Sequence, residues 1–122
     1  MEVLLDTHIF IWYIEGNQKL SDKYIQLIED SSSVLYLSYA SLWEMSIKRS
    51  LGKLKLSASP AELVPAQISI LQPNVEALEV LEKLPYHHRD PFDRMIISQA
   101  IYHNISIMTK DHHFKAYEVS LV

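Results

Sequence analysis

Cysteine is absent from the 122 residues, so neither disulfides nor thiolate metal sites can form. Any metal must be held by carboxylates, imidazoles or carbonyls, and carboxylates favour Mg²⁺, Mn²⁺ or Ca²⁺. Long apolar runs are also missing, and no stretch could span a bilayer. The first apolar stretch is interrupted at Asp6, with no basic segment before it. That pattern argues against a signal peptide and for a cytoplasmic protein. Glycine occurs only twice, at Gly16 and Gly52, and there are no repeats, low-complexity tracts or linker-like runs. Nor is there an excess of positive charge, since the formal net charge is −4. This counts mildly against a nucleic-acid binder, which usually carries a basic face. An acidic pocket filled with divalent cations reverses the local sign, so nuclease chemistry stays open.

What is present reads as one α/β domain over residues 1–122. A chain of this size buries roughly two-thirds of its unfolded surface and needs no covalent staples. Val3–Leu5 is a short apolar run suited to a buried parallel strand ending at Asp6. Thr7 is expected to cap a helix through Ile11 and Ile14, which Gly16 and Asn17 break. Ser21 caps a second helix, with Tyr24, Leu27 and Ile28 on one face as ordinary core. Val34–Leu37 is the next strand. Ser41 is expected to open a helix with Trp43, Ile47 and Leu51 at four-residue spacing and Gly52 at its end. Pro60 starts a short helix, Ile68–Leu71 is a candidate strand, and Val75–Leu84 is helical. Asp90-Pro91 opens a further helix with Ile96, Ile97, Ala100 and Ile101 on its apolar face. Ile105–Met108 is a strand, and Glu118–Val122 a possible last edge strand. This alternation predicts helices on a mostly parallel sheet.

Four acidic residues fall at equivalent places in that scheme. Asp6 ends the first strand, Glu44 and Asp93 lie in expected first turns of helices, and Asp111 follows the last clear strand. In an open α/β sheet, ligands bind outside the carboxyl ends of the strands. Carboxylates gathered there would repel one another and raise each other's pKa, and a divalent ion with oxygen ligands would relieve this. Each acid also has a purely structural reading. Ser41-Leu42-Trp43-Glu44 fits a capping box, Asp90 and Asp93 suit a helix start, and Asp6 and Asp111 suit turns.

Other residues carry less. His87-His88 and His112-His113 are adjacent pairs, and neighbouring side chains rarely face one point, so direct metal ligation by histidine is not expected. Trp12 and Trp43 could stack on bases, but Trp43, on an apolar stripe, reads as core.

At these same residues the sequence resembles the PIN-domain nucleases, and among them the VapC-type toxins of bacterial toxin–antitoxin pairs. The matching stretches are Leu4-Leu5-Asp6-Thr7-His8 with Trp12, and Ser41-Leu42-Trp43-Glu44-Met45-Ser46-Ile47-Lys48 running into Gly52-Lys53-Leu54. Next come Leu84-Pro85-Tyr86-His87-His88-Arg89-Asp90-Pro91-Phe92-Asp93-Arg94 and Ile96-Ile97-Ser98-Gln99-Ala100, then Thr109-Lys110-Asp111 with Phe114 and Tyr117. The resemblance implies a compact α/β/α sandwich, a Mg²⁺- or Mn²⁺-dependent ribonuclease, a cognate antitoxin and a homodimer. Under it, Asp6, Glu44 and Asp93 match the core metal-binding carboxylates, and Asp111 a more variable fourth. Asp90 matches an acidic position that supports the ligands or caps the helix. Thr7 and Thr109 match hydroxyls that orient the acids. Lys48 and Arg94 are candidates for contacting substrate phosphate, with pairing to their neighbours as the alternative. The implied chemistry is hydrolysis by a metal-activated water, leaving a 5′-phosphate and a 3′-hydroxyl without a covalent intermediate.

Two other classes compete. A metal-dependent phosphatase or phosphotransferase also places Asp after its first strand, but an aspartyl-phosphate enzyme commonly has a second acid two residues on, where this chain has His8. A non-catalytic binding module would use the acids only as caps.

Overall fold

The computed structural model describes residues 1–122. Four strands, β1 (Glu2–Leu5), β2 (Val34–Ser38), β3 (Ile68–Leu71) and β4 (Ser106–Met108), form one all-parallel sheet in the order β3-β2-β1-β4. Five helices connect them: α1 (Thr7–Glu15), α2 (Asp22–Glu29), α3 (Tyr39–Ser50), α4 (Val75–Lys83) and α5 (Pro91–His103). Short 3₁₀ turns occupy Pro60–Leu63 and His112–Ala116.

The pleat explains the layering. Val3 and Leu5 on β1 share one core with Ile9, Phe10, Tyr24, Ile28, Leu42 and Met45 from α1, α2 and α3. Leu4 points the other way and packs with Ile96, Ile97 and Ala100 of α5 and with Phe114 and Tyr117. Both faces of β1 are therefore covered, which is why its residues are apolar without alternation. The expected α/β/α sandwich with a parallel sheet is what the structure shows.

Strand order fixes where a ligand belongs. From β1 the chain moves outward to β2 and β3, then returns across the sheet to β4 on the other side of β1. The connections diverge between β1 and β4, and a crevice opens there at the strands' carboxyl ends. Asp6 and Thr109 flank it, and the Asp6 N–H donates to the Met108 carbonyl at 3.0 Å.

Helix ends follow local chemistry. Gly16 and Gly52 adopt φ of 64° and 73°, the left-handed region that costs glycine little. The bonds Asn17 N–H to Trp12 O and Lys53 N–H to Lys48 O close α1 and α3 in Schellman fashion. Asn104 plays the same part after α5, at φ 55°. Above the sheet, Gln99 of α5 accepts from the Ser38 hydroxyl and donates to the Leu71 carbonyl at 3.1 Å, tying α5 to the ends of β2 and β3.

Several expectations are corrected. The cap of α1 is Asp6, whose carboxyl accepts the Thr7 N–H, and Thr7 is already helical. Strand β2 runs into α3 without a loop, so Ser38 rather than Ser41 is the cap and its hydroxyl accepts the Ala40 N–H at 3.0 Å. Glu44 consequently sits in the second turn, and the capping-box reading fails. The buried face of α3 is Ala40, Ser41, Leu42, Glu44 and Met45. Trp43 and Leu51 are instead 59% and 62% exposed, so the stripe read as core faces outward. Glu118–Val122 contributes a single parallel bridge, Ile107 to Leu121, rather than a strand.

Replacing Met45 by Ala should cost about 2–5 kcal/mol of unfolding free energy, as buried truncations do. Leu51→Ala should change it by less than about 0.5 kcal/mol. Urea titration of both variants checks the assignment, and equal losses would refute it.

Candidate active site

Asp6 is buried between two donors. Its Oδ1 accepts the Thr7 N–H at 2.7 Å and its Oδ2 accepts the Thr109 hydroxyl at 2.8 Å. Thr109 Oγ1 in turn accepts the Asp111 N–H at 3.0 Å, so one hydroxyl links the Asp6 carboxylate to the Asp111 backbone. Burial pushes the Asp6 carboxyl above its ordinary range, opposed by the hydrogen bond from Thr109, the charge of His8 and the bond from Thr7. The Thr7 hydroxyl reaches no acid. It pairs with the Ser41 hydroxyl at 2.8 Å, locking α1 to α3, and only the Thr7 backbone serves Asp6.

Glu44 is buried with its carboxyl divided between two environments. Oε2 lies 3.0 Å from Lys48 Nζ, one helical turn on. Oε1 is buried without any hydrogen-bond partner. A charged oxygen left so costs several kcal/mol unless something else satisfies it, and a hard cation does so directly.

Asp93 stands in the first turn of α5, where Asp90 caps the helix by accepting the Phe92 and Asp93 N–H groups at 2.9 and 3.0 Å. Desolvation, followed by the charges of Asp6, Asp90, Glu44 and Asp111, pushes Asp93 up to about 8. The charges of the other three expected acids therefore all bear on Asp93. Asp111 differs. Burial raises its carboxyl, but the His113 N–H at 2.9 Å, the His113 ring at 2.8 Å and the charges of His113 and His112 together hold it below the ordinary range.

Among all histidine and acid trios, only Asp111, His112 and His113 bring ligand atoms within 4.8 Å of one another. The oxygens of Asp6, Glu44 and Asp93 are set wider than that. Mg²⁺ keeps several waters and takes one or two carboxylates directly, so the wider spacing suits a hydrated ion or a pair of ions. Together with the orphaned Glu44 oxygen, the donor set fits a divalent cation.

Two expected substrate contacts are placed otherwise. Arg94 is 3% exposed. Its guanidinium donates to the carbonyls of Pro85 at 2.8 Å and Leu84 at 3.0 Å, and lies 3.9 Å from the Tyr86 ring centroid. It fastens the end of α4 to α5 and cannot reach a phosphate. Lys48 pairs with Glu44. Conversely, His88, set aside in the sequence as one of an adjacent pair not expected to ligate metal, sits with Nε2 3.4 Å from Asp93 Oδ2. Burial and the charge of His113 depress its pKa, favouring the neutral ring.

The raised Asp93 pKa has a stability consequence. In the unfolded chain the group ionises near 3.8 and in the folded chain near 8, so between these values the folded state binds more protons. Stability must then fall as pH rises through that window. His88, depressed below 6.5, is silent above that value. With chelator present, the thermal midpoint should therefore drop between about pH 6.5 and about pH 8. Asp93→Asn should flatten the drop and added Mn²⁺ should reverse it, as followed by circular dichroism. An unchanged slope in Asp93→Asn would contradict the assignment.

The same architecture occurs elsewhere. The VapBC2 complex of Rickettsia felis bound to a DNA fragment from its promoter has a chain 19% identical, with TM-score 0.76, covering 100% of this chain and 98% of that one. VapBC-1 of nontypeable Haemophilus influenzae gives 18% identity and TM-score 0.70, covering 100% of this chain and 97% of the other. FitAcB of Neisseria gonorrhoeae gives 16% and 0.67, with 98% and 95% covered. No curated protein matches the sequence. At these identities the likeness concerns the fold. Residues 3–119 match the family model for the PIN domain, and on that match over nearly its whole length the chain belongs to the PIN domain family.

Proposed function

We propose that this chain is a Mg²⁺- or Mn²⁺-dependent endoribonuclease and the toxin of a toxin–antitoxin pair. The observation that carries this reading is the acid cluster at the β1–β4 crevice, in which the buried Glu44 Oε1 is unpartnered and Asp93 is pushed up to about 8 by desolvation and then by its acidic neighbours. Asp6, Glu44 and Asp93 would hold the ion, with Asp111 beside them. A divalent ion bound there supplies positive charge for the phosphodiester and eases deprotonation of an attacking water. The chain's own residues keep the acids ready. Thr109 and the Thr7 N–H fix both oxygens of Asp6, and the Asp90 cap fixes the helix that presents Asp93. With both oxygens engaged, Asp6 is poorly disposed to act as a nucleophile, which favours direct attack by water over an aspartyl-phosphate route. Lys48, partly exposed beside Glu44, is the remaining basic candidate for a substrate phosphate once an ion satisfies Glu44.

Partners are inferred from two sides. Similar folds are found in toxin–antitoxin assemblies, one from Klebsiella pneumoniae with TM-score 0.69, and others bound to DNA. This chain also exposes Tyr39, Trp43, Ile47 and Leu51 along α3, an apolar stripe of the kind that marks protein contact. An antitoxin and a second copy of the chain are the partners we assign. No helix is long and apolar enough to cross a membrane.

Purified protein should cut RNA with Mg²⁺ or Mn²⁺ and stop with chelator. Asp6→Asn and Glu44→Gln should each lower the rate at least about 100-fold while remaining folded, more than loss of a group behind a ligand usually costs. Chelator-resistant cleavage would contradict the proposal. So would hydrolysis of small phosphoesters with RNA left intact.

A further inference from the structure

His88 lies on the connection between α4 and α5, outside any helix or strand, yet its ring is closely held. It stacks on His113 at 5.4 Å between centroids and 9° between planes, and packs against Phe114 and Tyr117. Its side chain is 12% exposed. The hydrogen bonds around it run in one direction. Arg94, anchored on the carbonyls of Leu84 and Pro85, points a guanidinium N–H at the Tyr117 hydroxyl at 3.4 Å. The His88 N–H donates to the same oxygen at 3.2 Å.

Tyr117 has a single proton to give. Its choices are the His88 carbonyl at 3.4 Å and the His88 Nδ1 at 2.7 Å. The shorter contact assigns the proton to Nδ1, which therefore accepts. A neutral imidazole accepting at Nδ1 carries its hydrogen on Nε2, and Nε2 is the atom 3.4 Å from Asp93 Oδ2.

We propose that His88 is a positioning residue for Asp93. The Nε2–H holds Oδ2 and leaves Oδ1 to face the acidic crevice, with the tautomer set by Tyr117 and Tyr117 set by Arg94. The buried arginine thus serves the site at two removes, through hydrogen bonds rather than by touching substrate. Carboxylates that hold metal work best when a neighbour fixes their rotation, and losing such a neighbour costs 10–100-fold in affinity or activity. Asp93 has no other side-chain donor. The inference rests on the metal-centre reading above.

The test uses the full chain and Mn²⁺ alone as probe, with free Mn²⁺ followed by electron paramagnetic resonance, and then kcat and KM for RNA at fixed Mn²⁺. His88→Ala should weaken Mn²⁺ binding about 10–100-fold and lower kcat while leaving KM for RNA near wild type. His88→Gln can return an N–H near the Nε2 position and should recover most of the loss. Tyr117→Phe, which frees the tautomer, should fall between wild type and His88→Ala. The inference is overturned if wild type binds Mn²⁺ and His88→Ala binds it equally well. It is also overturned if KM alone rises, which marks a direct RNA contact, or if His88→Gln is no better than His88→Ala. Wild type that binds no Mn²⁺ and cuts no RNA would instead remove the metal-centre reading itself.

Discussion

Mutual repulsion among buried carboxylates is the constraint around which this fold is arranged. Asp6, Glu44 and Asp93 come from the end of β1, from α3 and from α5, far apart in sequence, and each is carried to the same end of the sheet. Asp93 registers the charges of Asp6, Glu44 and Asp111 as well as that of the helix cap at Asp90. Such an arrangement works against folding. It is tolerated because the apolar contacts on both faces of β1 and the hydrogen bonds that Gln99 makes to β2 and β3 hold the elements in place. The cost is concentrated in one crevice, where an ion of opposite sign can offset it.

The surroundings divide the acids into types. Asp6 is satisfied at both oxygens, and Asp111 is held ionised by His113. Asp93 prefers its proton near neutrality, and Glu44 has one oxygen paired with Lys48 and one with nothing. The first pair have their oxygens engaged by neighbouring donors. The second pair are the groups whose energy a cation changes most, and at Asp93 proton release and ion binding are coupled.

Much of this was legible in the sequence where local chemistry and long-range packing agree. The apolar runs at Val3–Leu5, Val34–Leu37 and Ile105–Met108, and the cap at Asp90-Pro91, mark strands and a helix that the fold contains. The acids stood out because strand ends and helix starts converge in a parallel sheet. The α3 register was not legible. Ser38 and Ser41 are both good caps, and only the direct passage of β2 into the helix selects the first. The regular spacing of Trp43, Ile47 and Leu51 implied burial, yet that face points outward. A periodic apolar stripe shows that a helix has a sticky side without saying which surface meets it. Arg94 misled for another reason. Consecutive helical residues point about 100° apart, so adjacency to Asp93 sent it away from the crevice into the α4–α5 junction. His88 could not be found locally, since its role depends on Tyr117, 29 positions on.

Diffraction at the manganese absorption edge, from crystals grown with Mn²⁺, addresses the central claim most directly. Convergence of the three acids predicts an anomalous peak among the carboxylates of Asp6, Glu44 and Asp93. A peak only at Asp111, His112 and His113, the trio whose ligand atoms already lie within 4.8 Å, or no peak at all, would contradict it.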